Sequence, residues 1–284
     1  MLDLREAWED ILERRATLRA ALSVYGEIFD RWATMSTAVR PLARDARFCR
    51  ARWKAGTPIL SEERLELPRE EVEELVAPLL DVVATVRPET APSLEAFAAA
   101  WDRRAIEPAM LLPVRGRIGS LPAEVDLDRD VVAFLAIGGL RPLLQEALAP
   151  CRAHLGDGEW SLGVCPLCGA PAGWGDIVEE GRLLLACHLC GTAWPFSRAR
   201  CPFCGNDNAK DLRRLTTEGG EEGYALSTCA TCRSYVKEID RRERWNGGPP
   251  LVEDWGSPHL DVALVRQNYW RPLLPLLVTA GGAR

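Results

Sequence analysis

The chain has 284 residues, 47% hydrophobic and 27% charged, with a formal net charge of −6. That is ordinary globular composition, enough for one or two cores, and no apolar run reaches the ~18 residues a membrane-spanning helix needs. All of the net negative charge falls before residue 165, and the cysteine-rich part, 165–245, is neutral. This counts against a nucleic-acid grip, because phosphate neutralisation supplies most of such affinity.

The N-terminus, MLDLREAWEDILERR, is acidic and amphipathic. It carries no basic region, apolar stretch or small-residue cleavage site, so a cytoplasmic location is expected. There, paired cysteines read as metal ligands or redox groups rather than structural disulfides. Leu4, Trp8, Ile11, Leu12, Leu18, Leu22, Tyr25 and Phe29 recur at helical spacing. A second helix is predicted from Pro68, at a first-turn position, with Glu70, Glu71 and Glu73 favoured by the helix dipole. Pro78 should kink or split it. Ser93 reads as an N-cap. The run from Asp128 to Leu155 is apolar nearly all round and predicts buried helix, interrupted at Gly138–Gly139. No catalytic constellation stands out in this region. From Trp160 the texture changes to short β-prone runs punctuated by Gly, Pro and Cys. After the turn cluster WNGGPP, Ser257 as N-cap and Pro258 at the first helical position predict a closing helix, interrupted by Pro272 and Pro275.

Eight cysteines form four Cys-x-x-Cys pairs: Cys165/Cys168, Cys187/Cys190, Cys201/Cys204 and Cys229/Cys232, separated by 18, 10 and 24 residues. One such pair is a weak signal and four are a strong one. A two-residue spacer lets both thiolates face one ion. Gly169, Gly191 and Gly205 follow three of the pairs and supply the positive φ that closes the knuckle. Arg233 follows the fourth, so a looser turn is expected there. Two knuckles enclose one tetrahedral ion. Sequential pairing gives site one (Cys165, Cys168, Cys187, Cys190) and site two (Cys201, Cys204, Cys229, Cys232), each long gap holding a hairpin. A crossed pairing, first knuckle with third, remains open. Two ions are expected, iron of the rubredoxin type or zinc, and closed four-thiolate sites leave no position for the bound water that metal hydrolysis needs. Such sites more often hold a fold together than do chemistry. His188 is a weak alternative ligand. His154 and His259 stand alone, and Cys49 and Cys151 read as buried apolar residues. Trp174 and Trp194 are expected to pack the modules.

These knuckles, quoted as CPLCGAPAG (165–173), RLLLACHLCGTAW (182–194), RCPFCGND (200–207) and CATCRSYVKEID (229–240), resemble the formate dehydrogenase accessory protein family, the FdhE-type proteins. VEDWGSPHLDVALV (252–265) is similar to that family's closing helix, and the stretches LPVRGRIGS and LRPLLQEALAP also fit. The likeness is strongest over 160–265, weak in the first 110 residues, and lost in the final RPLLPLLVTAGGAR. It implies an α+β chain: a helical domain (1–158), two rubredoxin-like or zinc-ribbon four-cysteine modules (159–195 and 196–245), and a C-terminal turn and helix packing back on the body (246–284). It implies a cytoplasmic, chaperone-like assembly factor that binds the molybdenum- or tungsten-dependent catalytic subunit of a formate dehydrogenase and is not itself an enzyme. The eight cysteines carry over as ligands, four per site. GTAWPFSRAR is an expected contact region, with Trp194, Phe196 and Arg198 as anchors where exposed; Trp194 is expected to pack site one instead, which leaves Arg198 and Arg200 the better contact candidates. Two other readings stand: a rubredoxin-like redox, electron-transfer or sulfur-handling protein, and a zinc-ribbon nucleic-acid binder.

Overall fold

The computed structural model describes residues 4–61, 63–114, 116–216 and 221–278. Part of the second expected hairpin (217–220), Arg115 of LPVRGRIGS and the end of the divergent tail (279–284) lie outside the described residues. The fold is mixed: a helical N-terminal body, then a six-stranded sheet, then closing helices.

The N-terminal stretch divides into α1 (Leu4–Arg14), α2 (Arg19–Leu22) and α3 (Gly26–Thr34), joined by 3-10 turns. The helix ends at Arg15, whose backbone is non-helical and whose buried guanidinium pairs with Glu221. The apolar pattern still marks the inner face, for Trp8, Ile11, Leu12, Leu22, Tyr25 and Phe29 are all buried. Helix α4 (Ala46–Lys54) is capped by Asp45, whose carboxylate accepts from the Phe48 amide at 2.7 Å.

Helix α5 (Arg69–Val86) runs unsplit through Pro78, and Pro68 serves as its N-cap residue. A proline inside a helix costs about 3 kcal/mol. The buried Val72, Leu75, Val76, Leu79 and Val83 outweigh that, at roughly 1.5–3 kcal/mol each. Helix α6 (Ala91–Asp102) begins two residues before Ser93, with Pro92 in its first turn, so Ser93 is not the cap.

Helix α7 (Arg129–Ala147) is the centre of the body, with nearly every side chain from Val131 to Leu144 buried. It does not break at Gly138–Gly139. A Cβ on Gly138 would lie 2.3 Å from Leu79 Cδ1, and one on Gly139 would lie 2.5 Å from Val76 Cγ2. The glycines therefore let α5 pack tightly against α7, and close packing overrides their weak helix propensity. Helix α8 (Ala149–Arg152) follows. A small hairpin, β1 (Pro113–Val114) with β2 (Arg117–Ile118), precedes α7.

The cysteine-rich part supplies β3 (Trp174–Ile177), β4 (Leu183–Ala186), β5 (Ala193–Phe196), β6 (Leu212–Thr216), β7 (Tyr224–Cys229) and β8 (Tyr235–Asp240). They form one sheet in the order β5-β4-β3-β8-β7-β6. Each half is an antiparallel three-strand unit, and the parallel pairing of β3 with β8 joins the halves. Helices α9 (Pro250–Trp255) and α10 (Pro258–Val265) follow. Trp255 of α9 stacks on Tyr25 with ring centroids 4.7 Å apart and also meets Phe29 and Phe134. Leu260 and Leu264 of α10 pack with Trp174, Tyr224, Tyr235 and Ile239 on one face of the sheet. Ser257 is the N-cap residue of α10 by position, but its hydroxyl donates back to the Glu253 carbonyl at 2.6 Å.

Gly138→Ala tests the α5–α7 approach. The gain in helix propensity is about 1 kcal/mol, against roughly 1–3 kcal/mol for overpacking. A lower urea midpoint is expected, and the loss caused by Gly138→Ala should shrink when it is made in a Leu79→Ala background. A midpoint above that of the parent chain contradicts the close packing.

Candidate metal centres

The structure brings the eight cysteines together in two groups, Cys165/Cys168/Cys187/Cys190 and Cys201/Cys204/Cys229/Cys232, each with its sulfurs within 4.8 Å of one another. This is the sequential grouping, not the crossed one. In site one, Cys165 and Cys190 lie 3.5 Å apart, as do Cys168 and Cys187. In site two, the Cys201–Cys232 and Cys204–Cys229 separations are 3.7 and 3.8 Å. A disulfide needs about 2.05 Å. Four thiolates at about 2.3 Å from one ion stand about 3.8 Å apart at the corners of a tetrahedron. The donor set therefore fits a tetrahedral zinc or iron ion in each group, without choosing between them.

Three of the knuckles are built alike. Gly169, Gly191 and Gly205 donate to the carbonyls of Cys165, Cys187 and Cys201, each at 3.0 Å. Their φ angles are 78°, 73° and 77°. The amides of Cys165, Cys187, Cys201 and Cys229 are bonded five residues ahead, to Ala170, Thr192, Asn206 and Ser234. Arg233 takes the same left-handed backbone at φ 58°, but among the described residues its amide makes no bond to the Cys229 carbonyl like those of the three glycines, in keeping with the looser turn expected there. The C-terminal segment holds it there. Trp270 donates through its amide to the Arg233 carbonyl and through its indole to the Cys232 carbonyl. The Arg233 guanidinium bonds the Gln267 carbonyl and lies 4.2 Å from the Tyr269 ring centre.

The two sites differ in surroundings. All four site-one cysteines are buried, whereas Cys204 is exposed and Cys232 partly so. Site one is seated in the helical body. Ile59 and Leu60 donate amides to Pro166 and Leu167, and the Trp53 indole also donates to Pro166. Arg141 of α7 reaches the Cys187 and His188 carbonyls, and Arg152 of α8 reaches that of Cys190. Burial disfavours the Cys190 thiolate. Hydrogen bonds from the other three thiols and Thr192 outweigh it and hold Cys190 well below the usual thiol range. In site two, burial likewise raises Cys229, but backbone and side-chain bonds from Cys232, with the Thr231 amide, bring it down to about 7. Burial pushes the partner thiols up, Cys165 and Cys168 in site one and Cys204 and Cys232 in site two, so one sulfur of each group is made acidic by the protons of its neighbours, protons that a bound cation would replace.

His188 is not turned toward the sulfurs as a fifth donor. Its Nε2 lies 2.9 Å from Asp254 Oδ2, and both side chains are buried. Asp254 also receives Lys237 and Arg271, each at 2.8 Å. Lys237 and Arg271 reach Asp261 as well, at 2.6 and 2.8 Å, and the Tyr235 hydroxyl donates to Asp261 at 2.7 Å. Burial alone would raise the Asp254 carboxyl. The Arg271 and Lys237 charges and the His188 bond outweigh it, so Asp254 is held well below the usual carboxylate range. Beside this network the buried Glu253 carboxylate accepts from Arg14, Tyr224 and the Gly248 amide. SYVKEID and VEDWGSPHLDVALV carry Lys237, Glu253, Asp254 and Asp261 of these networks, and residue order alone assigns them no partners. The available signal was the lone Lys237 in the first stretch against Asp254 and Asp261 in the second, with Arg271 beyond both.

His154 is half-buried, and His259 pairs with Glu221 at 3.3 Å. Cys49 and Cys151 are buried and adjacent, and burial pushes the Cys49 thiol up to about 12. Trp174 and Trp194 are fully buried, Phe196 is half-buried, and Arg198 and Arg200 are exposed. Trp194 donates to the Leu162 carbonyl at 3.0 Å and is packing, not a contact anchor.

A helical body carrying two four-thiol centres on one shared sheet is the class of protein this geometry defines. No family model matches the chain. Its sequence is similar to the FdhE homologs of Pseudomonas putida (32% identity over 131 residues, 43% of this chain and 40% of the relative) and Aquifex aeolicus (30% over 151 residues, 51% and 52%). It is also similar to that of Pseudomonas aeruginosa (30% over 183 residues, 54% and 57%). The chain thus spans about half the length of the curated relatives it matches. The fold matches the crystal structure of the FdhE protein from Pseudomonas aeruginosa over 99% of this chain and 96% of that one, with a TM-score of 0.61 at 21% identity. The sequence relatives are FdhE homologs, the family that the knuckles resemble, and the fold is that of the solved FdhE structure.

Purified chain is expected to hold two ions by elemental analysis. Cys165→Ser should lose one, and adding Cys187→Ser should cost no second ion. Loss of both in the double variant contradicts the grouping. A chelator should strip the ion left in Cys165→Ser protein, at exposed site two, faster than the ion left in Cys204→Ser protein, at buried site one.

Lys237→Met should cost about 3–5 kcal/mol, since it leaves Asp254 and Asp261 buried with one cation fewer. The folded Asp254 pKa is depressed, so its contribution is present above the ordinary carboxyl range and is lost as pH falls through the folded value. With one partner removed that value rises, and the variant should unfold at higher pH on acidification than the parent. Equal acid midpoints would show that Lys237 does not hold the carboxylate.

Proposed function

We propose that this chain is a cytoplasmic accessory factor that binds the catalytic subunit of a formate dehydrogenase and supports its maturation, without oxidising formate itself. The observation that carries this reading is the pair of complete four-sulfur groups on an FdhE-like fold that extends over nearly the whole chain. Cys165, Cys168, Cys187 and Cys190 would hold one iron or zinc ion, and Cys201, Cys204, Cys229 and Cys232 the other. When bound, such ions supply cross-linking of the knuckles and, if iron, a one-electron couple. The seating of site one in the main core supports a structural role for its ion. No helix among the described residues is long and apolar enough to cross a membrane, which accords with action on the client before any export. A neutral cysteine-rich part in a chain of net charge −6 speaks against nucleic acid as the partner.

One observation favours a second reading, a redox role at site two: Cys204 is exposed. A visible iron–thiolate spectrum that bleaches and recovers reversibly would support it.

The test is a deletion strain paired with capture by purified chain. Formate dehydrogenase polypeptide should be present but poorly active in the strain, and immobilised chain should retain the catalytic subunit. Full activity in the deletion strain, with no capture, overturns the accessory reading and leaves the redox one.

A further inference from the structure

A cleft of about 350 Å³ lies between the segment joining the two centres and the face of the sheet turned away from α10. Its floor is apolar, from Leu183 and Leu185 of β4 and Val236 of β8. Strand β3 crosses beneath at Gly175. A Cβ there would lie 3.0 Å from both Leu183 Cδ1 and Glu238 Cγ and 3.7 Å from Val236 Cγ1. Glycine at this point keeps the middle of the floor clear.

Four arginines line the cleft, Arg198, Arg200, Arg213 and Arg214, against one acid, Glu238. The whole of 165–245 is neutral, so this is a local concentration of charge rather than a property of the region. Arg214 is engaged by Glu238 at 3.2 Å. Arg198 and Arg200 are exposed and donate at 3.3 Å to the Gly181 and Gly205 carbonyls, groups that carry no full charge. On one side the cleft reaches β6, the last strand of the sheet, which pairs with β7 alone among the described strands. An exposed strand edge accepts an extended segment. An extended segment alternates its side chains between faces, so apolar residues can face the floor while acids face the arginines. The apolar floor does not suit a phosphate backbone, and the net negative chain repels a dense polyanion.

We propose that this cleft docks an acidic, extended segment of a protein partner. Its apolar side chains would rest on Leu183, Leu185 and Val236, and its carboxylates on Arg198 and Arg200. The partner's identity as the formate dehydrogenase subunit rests on the accessory reading, whereas the cleft's chemistry is testable apart from it.

The full chain, with its ions, is titrated by fluorescence anisotropy against a short fluorescein-labelled peptide of alternating glutamate and leucine. The matching lysine–leucine peptide is the control. The acidic peptide should bind, salt should weaken it, and the basic one should not bind. Arg198→Glu with Arg200→Glu should weaken binding by roughly ten-fold or more, and Gly175→Val, which fills the floor, should do likewise. Both arginines are exposed, so that pair of changes decides the matter if Gly175→Val lowers the metal content. No binding of the acidic peptide, or equal binding by the arginine variant, overturns the proposal. Purified catalytic subunit is then tested on the same proteins. Capture lost in the arginine variant supports the proposal, and capture kept at full strength overturns it while leaving the accessory reading intact. Arginine-dependent peptide binding with no capture by the parent chain supports the cleft and removes the formate dehydrogenase subunit as its partner.

Discussion

Asp254 is the carboxylate on which the three parts of the molecule converge. It takes a hydrogen bond from His188, between the two cysteines of a site-one knuckle, and ion pairs from Lys237 on β8 and Arg271 in the C-terminal segment. It sits on α9, whose Trp255 closes the aromatic core of the helical body. Burying an ion costs several kcal/mol even after relaxation. A carboxylate in such a place persists only if partners reach it from every side, and each partner here comes from a different part of the chain. The requirement therefore fixes how knuckle, sheet and closing helix meet. Asp261 repeats the arrangement one helix later, with Lys237 and Arg271 shared between the two acids. Two acids and two bases balance, so the neutral histidine serves as a donor rather than a charge. Burial lowers its pKa, in keeping with that role.

The same constraint separates the two centres. Site one is locked to α7 and α8 through Arg141 and Arg152, and to the segment around Trp53 through Pro166. Among the described residues, no hydrogen bond ties a site-two knuckle to the helical body. Site two hangs at the far half of the sheet, fastened by the turn around Trp270 and by Arg233. Similar knuckle geometry thus serves two purposes. One centre is a rivet within a core and the other is an outpost whose sulfurs meet solvent at Cys204. Left-handed backbone at a residue with a Cβ costs about 1–2 kcal/mol. Arg233 bears it because its side chain does work a glycine could not do, stacking on Tyr269 and tying the C-terminal segment to the fourth knuckle.

Much of this was legible in the sequence. Thiolate spacing is a local property, so the knuckles, the hairpins between them and the helical character of the first half follow from residue order. What the sequence hid was long-range. Gly138–Gly139 reads as a break by local propensity, and only the distance to Leu79 and Val76 shows it to be a packing device. Pro78 reads as a splitter until the burial of its neighbours is counted. Ser93 has the chemistry of a cap, but Pro92 had already started the helix. The parallel pairing of β3 with β8, which makes one sheet of two repeats, has no local signature at all. Arg233 shows the limit of reading a motif by its usual residue: the backbone stays left-handed without glycine, held by residues more than thirty positions away.

The division of labour between the motif and the surface follows from these placements. SYVKEID contributes Tyr235, Lys237 and Ile239 to the closed face of the sheet, where they meet Asp254, Asp261 and the side chains of α10. Val236 and Glu238, the alternate residues, face the cleft. One strand thus carries a buried charge network on one side and part of a recognition floor on the other. Period-two alternation makes the two roles inseparable, since a one-residue slip of β8 would exchange them. The buried lysine opposes such a slip, for Lys237 finds its carboxylates only in the present register. The network that holds the fold together therefore also sets which residues the cleft presents to a partner.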